Sequence, residues 1–278
     1  MFQFYNVFVL SIFAFCIVRN DAIRTIRRSE ISDFMTSLDA DEKKEADSPE
    51  YHDVQELYMK QRLDHSIDSN LSTPSAPKIF EQRYFYSSRF VYEDSHIRSS
   101  AQKERDTFAF LCMGGEGPGM DKSVLVNSVH CTGDMLELAS KLHKERGANV
   151  HVFALEHRYY GKSYPTFEDG SSPVKNENLV YLSSRQAIRD VGHFVPFATN
   201  KHLNTSVVPW VTFGGSYPGM LAAWARLQLP HLIHAAVSNS APVEATVDMF
   251  QYNNYVTQIL QDETVGGSQQ CFNVIQEG

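Results

Sequence analysis

Six residues, Gly214-Gly215-Ser216-Tyr217-Pro218-Gly219, stand between an apolar run and an amphipathic one. The run before them, Val207-Val208-Pro209-Trp210-Val211-Thr212-Phe213, has the length and the β-branched, aromatic content of a buried strand. After them, Met220, Leu221, Trp224 and Leu227 mark the inward face of a helix over about Tyr217 to Gln228. Pro230 ends it, because the residue before a proline is pushed out of the helical region. A strand that turns into a helix this abruptly brings the two backbones close together, and only small side chains fit between them. Gly214, Gly215, Gly219, Ala222 and Ala223 meet that demand.

The same alternation runs through the rest of the chain. Gln82 to Tyr92 reads as a long strand or strand pair, and Thr107 to Met113 as a buried strand that breaks into Gly114-Gly115-Glu116-Gly117-Pro118-Gly119. Met135, Leu138, Ala139 and Leu142 outline a helix that Thr132 can cap and Gly147 can end. Val150 to Leu155 is another buried strand. Ser183 and Gln186 have capping-box spacing ahead of a helix with Ala187, Ile188, Val191, Phe194 and Val195 on its apolar face. Ile233 to Val237 is one more strand. Strands alternating with helices predict an α/β fold with a mostly parallel sheet covered by helices on both faces.

The ends and the composition set the context. Val7 to Val18 is apolar apart from Ser11, the length of a signal-peptide core and short for a membrane span. Residues 1–18 are therefore read as a signal peptide and 19–60, polar and charged, as a leader or pro-segment, with the folded body starting near Leu63. Asn70 and Asn204 head glycosylation triplets, in keeping with a secreted or lysosomal protein that leaves the membrane after signal cleavage. Beyond the signal lie Cys112, Cys131 and Cys271, an odd number that leaves at least one without an intrachain partner. A net charge of −8 gives no basic footprint for nucleic acid. No zinc-ligand spacing is present, and no metal or cofactor is called for.

Gly-x-Ser-x-Gly on a strand-to-helix turn is the nucleophile elbow of α/β-hydrolases, which holds a serine hydroxyl above the sheet's C-terminal edge. Here Ser216 is the candidate nucleophile. Pro218 replaces the second glycine of the pattern, a change the first turn of a helix tolerates because its N–H groups are unpaired there. An oxyanion hole needs two aimed N–H donors. One is the backbone N–H of Tyr217, and the second is that of Gly115 or Glu116 in the glycine loop. The block Glu156-His157-Arg158-Tyr159-Tyr160 is read as a buried Glu–Arg pair under tyrosines, since His157 precedes the serine and does not suit the triad order of this fold.

Taken together, these residues resemble the serine peptidases that include lysosomal Pro-X carboxypeptidase, dipeptidyl peptidase II and thymus-specific serine protease. The resemblance rests on Leu63-Asp64-His65, Gln82-Arg83-Tyr84-Phe85, Gly114-Gly115-Glu116-Gly117, Glu156 through Ser163, Gln186-Ala187 with Asp190, the Gly214 to Gly219 elbow, and Ser240-Ala241-Pro242-Val243. It implies an α/β-hydrolase domain whose N-terminal part covers 61–243 and a helical cap that begins over 244–278. It also implies an exopeptidase that cleaves peptides near a terminal proline, with peptide as substrate and at most a second copy of the chain as protein partner. Cys271 then resembles a cap cysteine whose partner would come later. The fold's triad runs Ser, Asp, His, yet no histidine follows Asp248 or Asp262. A truncated chain is therefore expected. An inactive secreted fragment and an esterase or lipase on the same fold are the alternatives.

Overall fold

A computed structural model describes residues 52–66, 78–92, 105–127, 131–203, 205 and 208–277. The signal peptide, most of the leader and both glycosylation asparagines, Asn70 and Asn204, lie outside the described residues. Six strands form one sheet: β1 (Gln55–Arg62), β2 (Ile79–Phe90), β3 (Thr107–Met113), β4 (Asn149–Leu155), β5 (Trp210–Gly215) and β6 (Ile233–Asn239). Their order is β1-β2-β4-β3-β5-β6. β1, β2 and β4 pair antiparallel, whereas β4, β3, β5 and β6 run parallel. Among the described residues of this unit, 44–243, lie the helices α1 (Thr132–Arg146), α2 (Ser184–His202) and α3 (Ser216–Gln228). This is the α/β-hydrolase fold.

Side chains alternate along a strand, so a sheet covered on both faces sorts each strand's residues into two cores. In β3, Ala109, Leu111 and Met113 join the core with α2 and α3, through Ile188, Phe194, Leu221 and Ala222. Phe110 and Cys112 point the other way, onto Met135 and Ala139 of α1. Phe153 of β4 is fully buried between the rings of Tyr86, Phe194 and Trp210, with centroids 4.9 to 5.9 Å away. Burying a side chain of that size contributes about 1.5–3 kcal/mol.

Four local expectations need correction. β1 occupies Gln55–Arg62, inside the stretch read as leader, so the folded body begins before Leu63. It pairs with β2 on one side only and turns just Met59 and Gln61 fully inward, which left no apolar period to read. Cys131 takes the N-cap position of α1, with Thr132 as the first helical residue, although Gly147 ends the helix in the left-handed conformation as expected. Leu227 is 76% exposed, and the inward face of α3 is Leu221, Ala222 and Ala225. Finally, Cys112 and Cys131 form a disulfide, and no cysteine among the described residues is free. The expectation that one of the three would lack an intrachain partner is therefore wrong for the described residues.

Residues 244–278 fall in a separate unit with two helices, α4 (Phe250–Gln261) and α5 (Gln269–Glu277). The turn between them is closed by Asp262, whose side chain accepts from the Thr264 N–H, and by Gly266 at φ 88°. Among the described residues no helix is long and apolar enough to cross a membrane.

Candidate functional site

The strand β5 ends at Gly215, and α3 begins at the next residue, Ser216. Ser216 has φ 57°, a left-handed conformation that side chains other than glycine rarely adopt, and it is exposed. The crowding that small residues must relieve is measurable. A Cβ on Gly214 would sit 2.3 Å from the Pro218 carbonyl oxygen, and one on Gly219 would sit 2.9 Å from the Ala241 Cβ. A Cβ on Gly115 would fall 2.3 Å from the Pro218 Cγ. Pro218 is therefore accommodated by the glycine loop across from it, not only by its place in the helix's first turn.

That contact brings the predicted site residues together. Gly114 has its N–H committed to the Leu155 carbonyl at 2.9 Å. The N–H groups of Gly115 and Glu116 make no hydrogen bond among the described residues. The N–H of Tyr217 lies in the first helical turn, where no intrahelical acceptor exists. The loop that carries Gly115 and Glu116 is closed at its base by the Cys112–Cys131 disulfide, which spans 19 positions. Sequence reasoning missed this bond, because the three cysteines beyond the signal can pair in more than one way and their spacing does not choose among them.

Tyr217 is held by its phenol as well as by its backbone. His157 Nδ1 donates to the Arg158 carbonyl at 2.7 Å, so Nε2 is left to accept from the Tyr217 hydroxyl at 3.0 Å. Burial pushes the His157 imidazole below its ordinary range, which keeps it neutral in this role. Burial, with the nearby Glu116 carboxylate and Tyr160, pushes the Tyr217 phenol up to about 12. His157 thus ties the end of β4 to the residue after Ser216.

The other members of the block are structural, but they form two ion pairs and not one. Glu156 pairs with Arg83 of β2, at 2.6 Å to Nη2 and 3.2 Å to Nε. It also accepts from the N–H groups of Met120 and Lys162 and from the Ser163 hydroxyl. Gly161, at φ 53°, is where a Cβ would meet this carboxylate at 1.9 Å. Arg158 instead pairs with Asp190 of α2 through Nε and Nη2, at 2.7 and 2.6 Å. His65 Nε2 lies 2.8 Å from the same carboxylate, and the carbonyls of Arg62, Leu63 and Tyr181 take the remaining Arg158 donors. Gln82 bridges the two pairs by donating to the Glu156 carbonyl and reaching Asp190. Segments far apart in sequence therefore converge on one buried network.

The histidines after Ser216 lie elsewhere. His234 follows Ile233, which pairs with Trp210 at the start of β5, the opposite end of the strand from Ser216. His231 lines a cleft of about 690 Å³ together with Trp210, Leu203 and Pro196. That cleft includes none of the residues around Ser216. In parallel sheets ligands bind at the carboxyl ends of strands, so strand polarity, and not volume, marks the site.

Comparison with known proteins places this geometry in context. The family model described as serine carboxypeptidase S28 matches residues 61–278. The chain is 36% identical over 201 residues to thymus-specific serine protease of Mus musculus, covering 72% of this chain and 35% of that protein. It is 32% identical over 192 residues to lysosomal Pro-X carboxypeptidase of the same organism, covering 67% and 32%. A solved peroxisomal alpha-beta-hydrolase of Saccharomyces cerevisiae aligns at 14% identity and a TM-score of 0.43, over 81% of this chain and 62% of that one. The chain spans about a third of the length of the curated relatives it matches.

Proposed function

The chain belongs to the serine carboxypeptidase S28 family, and on that premise we propose that it is a serine-type exopeptidase that cleaves peptides near a terminal proline. Ser216 Oγ attacks the scissile carbonyl carbon, the C–N bond breaks and the amine leaves with the serine's proton, and water then hydrolyses the acyl-enzyme, releasing the carboxylic acid and restoring the hydroxyl. The oxyanion that develops is stabilised by the N–H of Tyr217 together with that of Gly115 or Glu116. The observation that carries this reading is the left-handed Ser216 at the junction of β5 and α3, in an elbow whose Pro218 lies against the glycine loop at Gly115. The Cys112–Cys131 disulfide suits an oxidising compartment, so a secreted or lysosomal location reached through the secretory pathway, with glycans on Asn70 and Asn204, is part of the proposal.

Among the described residues none is assigned the role of base. His157 is neutral and committed to Tyr217, whereas His231 and His234 sit towards the other end of the sheet. That placement favours a second reading, a protein that binds peptide but turns it over slowly, since a serine without a base is a weak nucleophile. One experiment separates the two. The 278-residue chain and the protein expressed from its complete transcript are treated with a fluorophosphonate and assayed on proline-containing peptides and p-nitrophenyl esters. Labelling at Ser216 with peptide turnover, both abolished by Ser216→Ala, supports the exopeptidase. Ester turnover without peptide turnover supports an esterase. A complete protein unlabelled at Ser216 sinks the proposal.

A further inference from the structure

Ser216 has a counterpart on the neighbouring strand. The parallel ladder between β5 and β6 pairs Gly214 with Ser238 and Gly215 with Asn239. The ladder ends there, and the next residue on each chain is a serine, Ser216 at the start of α3 and Ser240 after β6. Both are left-handed, at φ 57° and 47°. Among the described residues only two other non-glycine positions share this conformation. Tyr159 is held by its N–H bond to the Ser163 carbonyl, and Asp248 belongs to the other unit.

The residues around Ser240 are fixed. Ser238 Oγ donates to the Gly219 carbonyl at 2.8 Å, and Asn239 Nδ2 donates to Asp134 at 3.2 Å. Ala241 packs against Gly219 in the first turn of α3. Ser240 itself is exposed, and its hydroxyl makes no hydrogen bond among the described residues. Glycine would satisfy this backbone without steric cost. What serine adds is a hydroxyl, which both donates and accepts. It is presented at the carboxyl end of a parallel strand, where ligands of such sheets bind. Strained non-glycine residues of this kind cluster at functional sites.

We propose that Ser240 is a substrate-contacting residue, whose hydroxyl hydrogen-bonds the main chain of the peptide attacked by Ser216. The inference rests on the peptidase reading above. Losing a contact made equally in ground and transition states raises KM and leaves kcat largely alone. One neutral hydrogen bond corresponds to about a tenfold change.

The test uses the protein expressed from its complete transcript, with Ser240→Ala and Ser240→Gly. Both variants should raise KM for a proline-containing peptide about tenfold, so that the loss in peptide turnover exceeds any loss in fluorophosphonate labelling of Ser216. Ser240→Gly should melt at or above the parent's midpoint, which excludes misfolding as the cause. Variants that keep the parent's KM overturn the proposal. So does a loss of labelling as large as the loss of peptide turnover, which would make Ser240 a support for the elbow. A parent that is labelled yet cleaves only esters refutes the peptidase reading, an outcome read from the parent alone.

Discussion

Asp190→Asn probes the buried network most directly. Asparagine keeps the shape but removes the charge that Arg158 meets at 2.6 and 2.7 Å. The guanidinium stays fully buried, with the carbonyls of Arg62, Leu63 and Tyr181 as hydrogen-bond acceptors and the Phe80 ring beneath it, and no carboxylate bonded to it. A buried charge stripped of its partner costs about 3–5 kcal/mol. Arg158→Met should cost a similar amount, because it leaves the carboxylate to His65 and Gln82 and deprives three carbonyls of a donor, at about 1–3 kcal/mol for each that stays unsatisfied. The double variant contains no unpaired charge, but those carbonyls remain. It should therefore be less stable than the parent, yet fall short of the summed single losses by about 3 kcal/mol. Urea unfolding followed by far-UV circular dichroism at neutral pH reads all three values from the midpoints, provided the slopes agree. Single losses below about 1 kcal/mol, or additivity within about 0.5 kcal/mol, would refute the idea that these charges act as one buried pair.

Three further outcomes follow from the same geometry. Gly115→Ala should lose about 1–3 kcal/mol and slow fluorophosphonate labelling of Ser216, since its Cβ would press on Pro218; a parental melting temperature would show that the loop yields freely. Cys112→Ser with Cys131→Ser should cost about 3 kcal/mol, from loop closure over 19 positions, measured by urea unfolding. Burial lowers the His151 imidazole from 6.5 to about 4. The unfolded chain thus takes up the proton first, and the stability that neutral His151 contributes is complete above pH 6.5 and lost as the pH falls through about 4, a loss of about 3 kcal/mol. His151→Gln, which keeps an acceptor for the Tyr86 hydroxyl, should flatten that acid limb in a melting series from pH 7 to 4; an unchanged slope would place the acid sensitivity elsewhere.

How far the sequence could be read depended on what kind of signal each feature leaves. The strand-to-helix junction was legible because Gly214 and Gly219 answer a steric demand that few other residues meet. The central strands were legible as apolar runs, because a sheet covered on both faces buries every residue. β1 was not, since its single partner and polar inward Gln61 leave a sequence that reads as surface. Leu227 was assigned inward from spacing alone, whereas the packing of α3 on β5 and β6 selects the face bearing Leu221, Ala222 and Ala225. Glu156 and Arg158 looked like one pair because they are close in sequence. Their true partners, Arg83 and Asp190, are 73 and 32 positions away, and no local pattern encodes such a distance.

The buried network also bears on how this chain is recognised. Gln82, Arg83, Glu156, Arg158, Ser163 and Asp190 lie in blocks that carry the family resemblance, and every one of them is spent on holding the sheet to its loops and to α2. None of them hydrogen-bonds Ser216 or Tyr217 among the described residues. Those blocks therefore certify descent and architecture while remaining silent about turnover. A duplicated copy that had lost its nucleophile would keep them for as long as it needed to fold. Sorting working members of such a lineage from retired ones depends on Ser216 and the loop facing it, which make up a small fraction of the residues that give the match its weight.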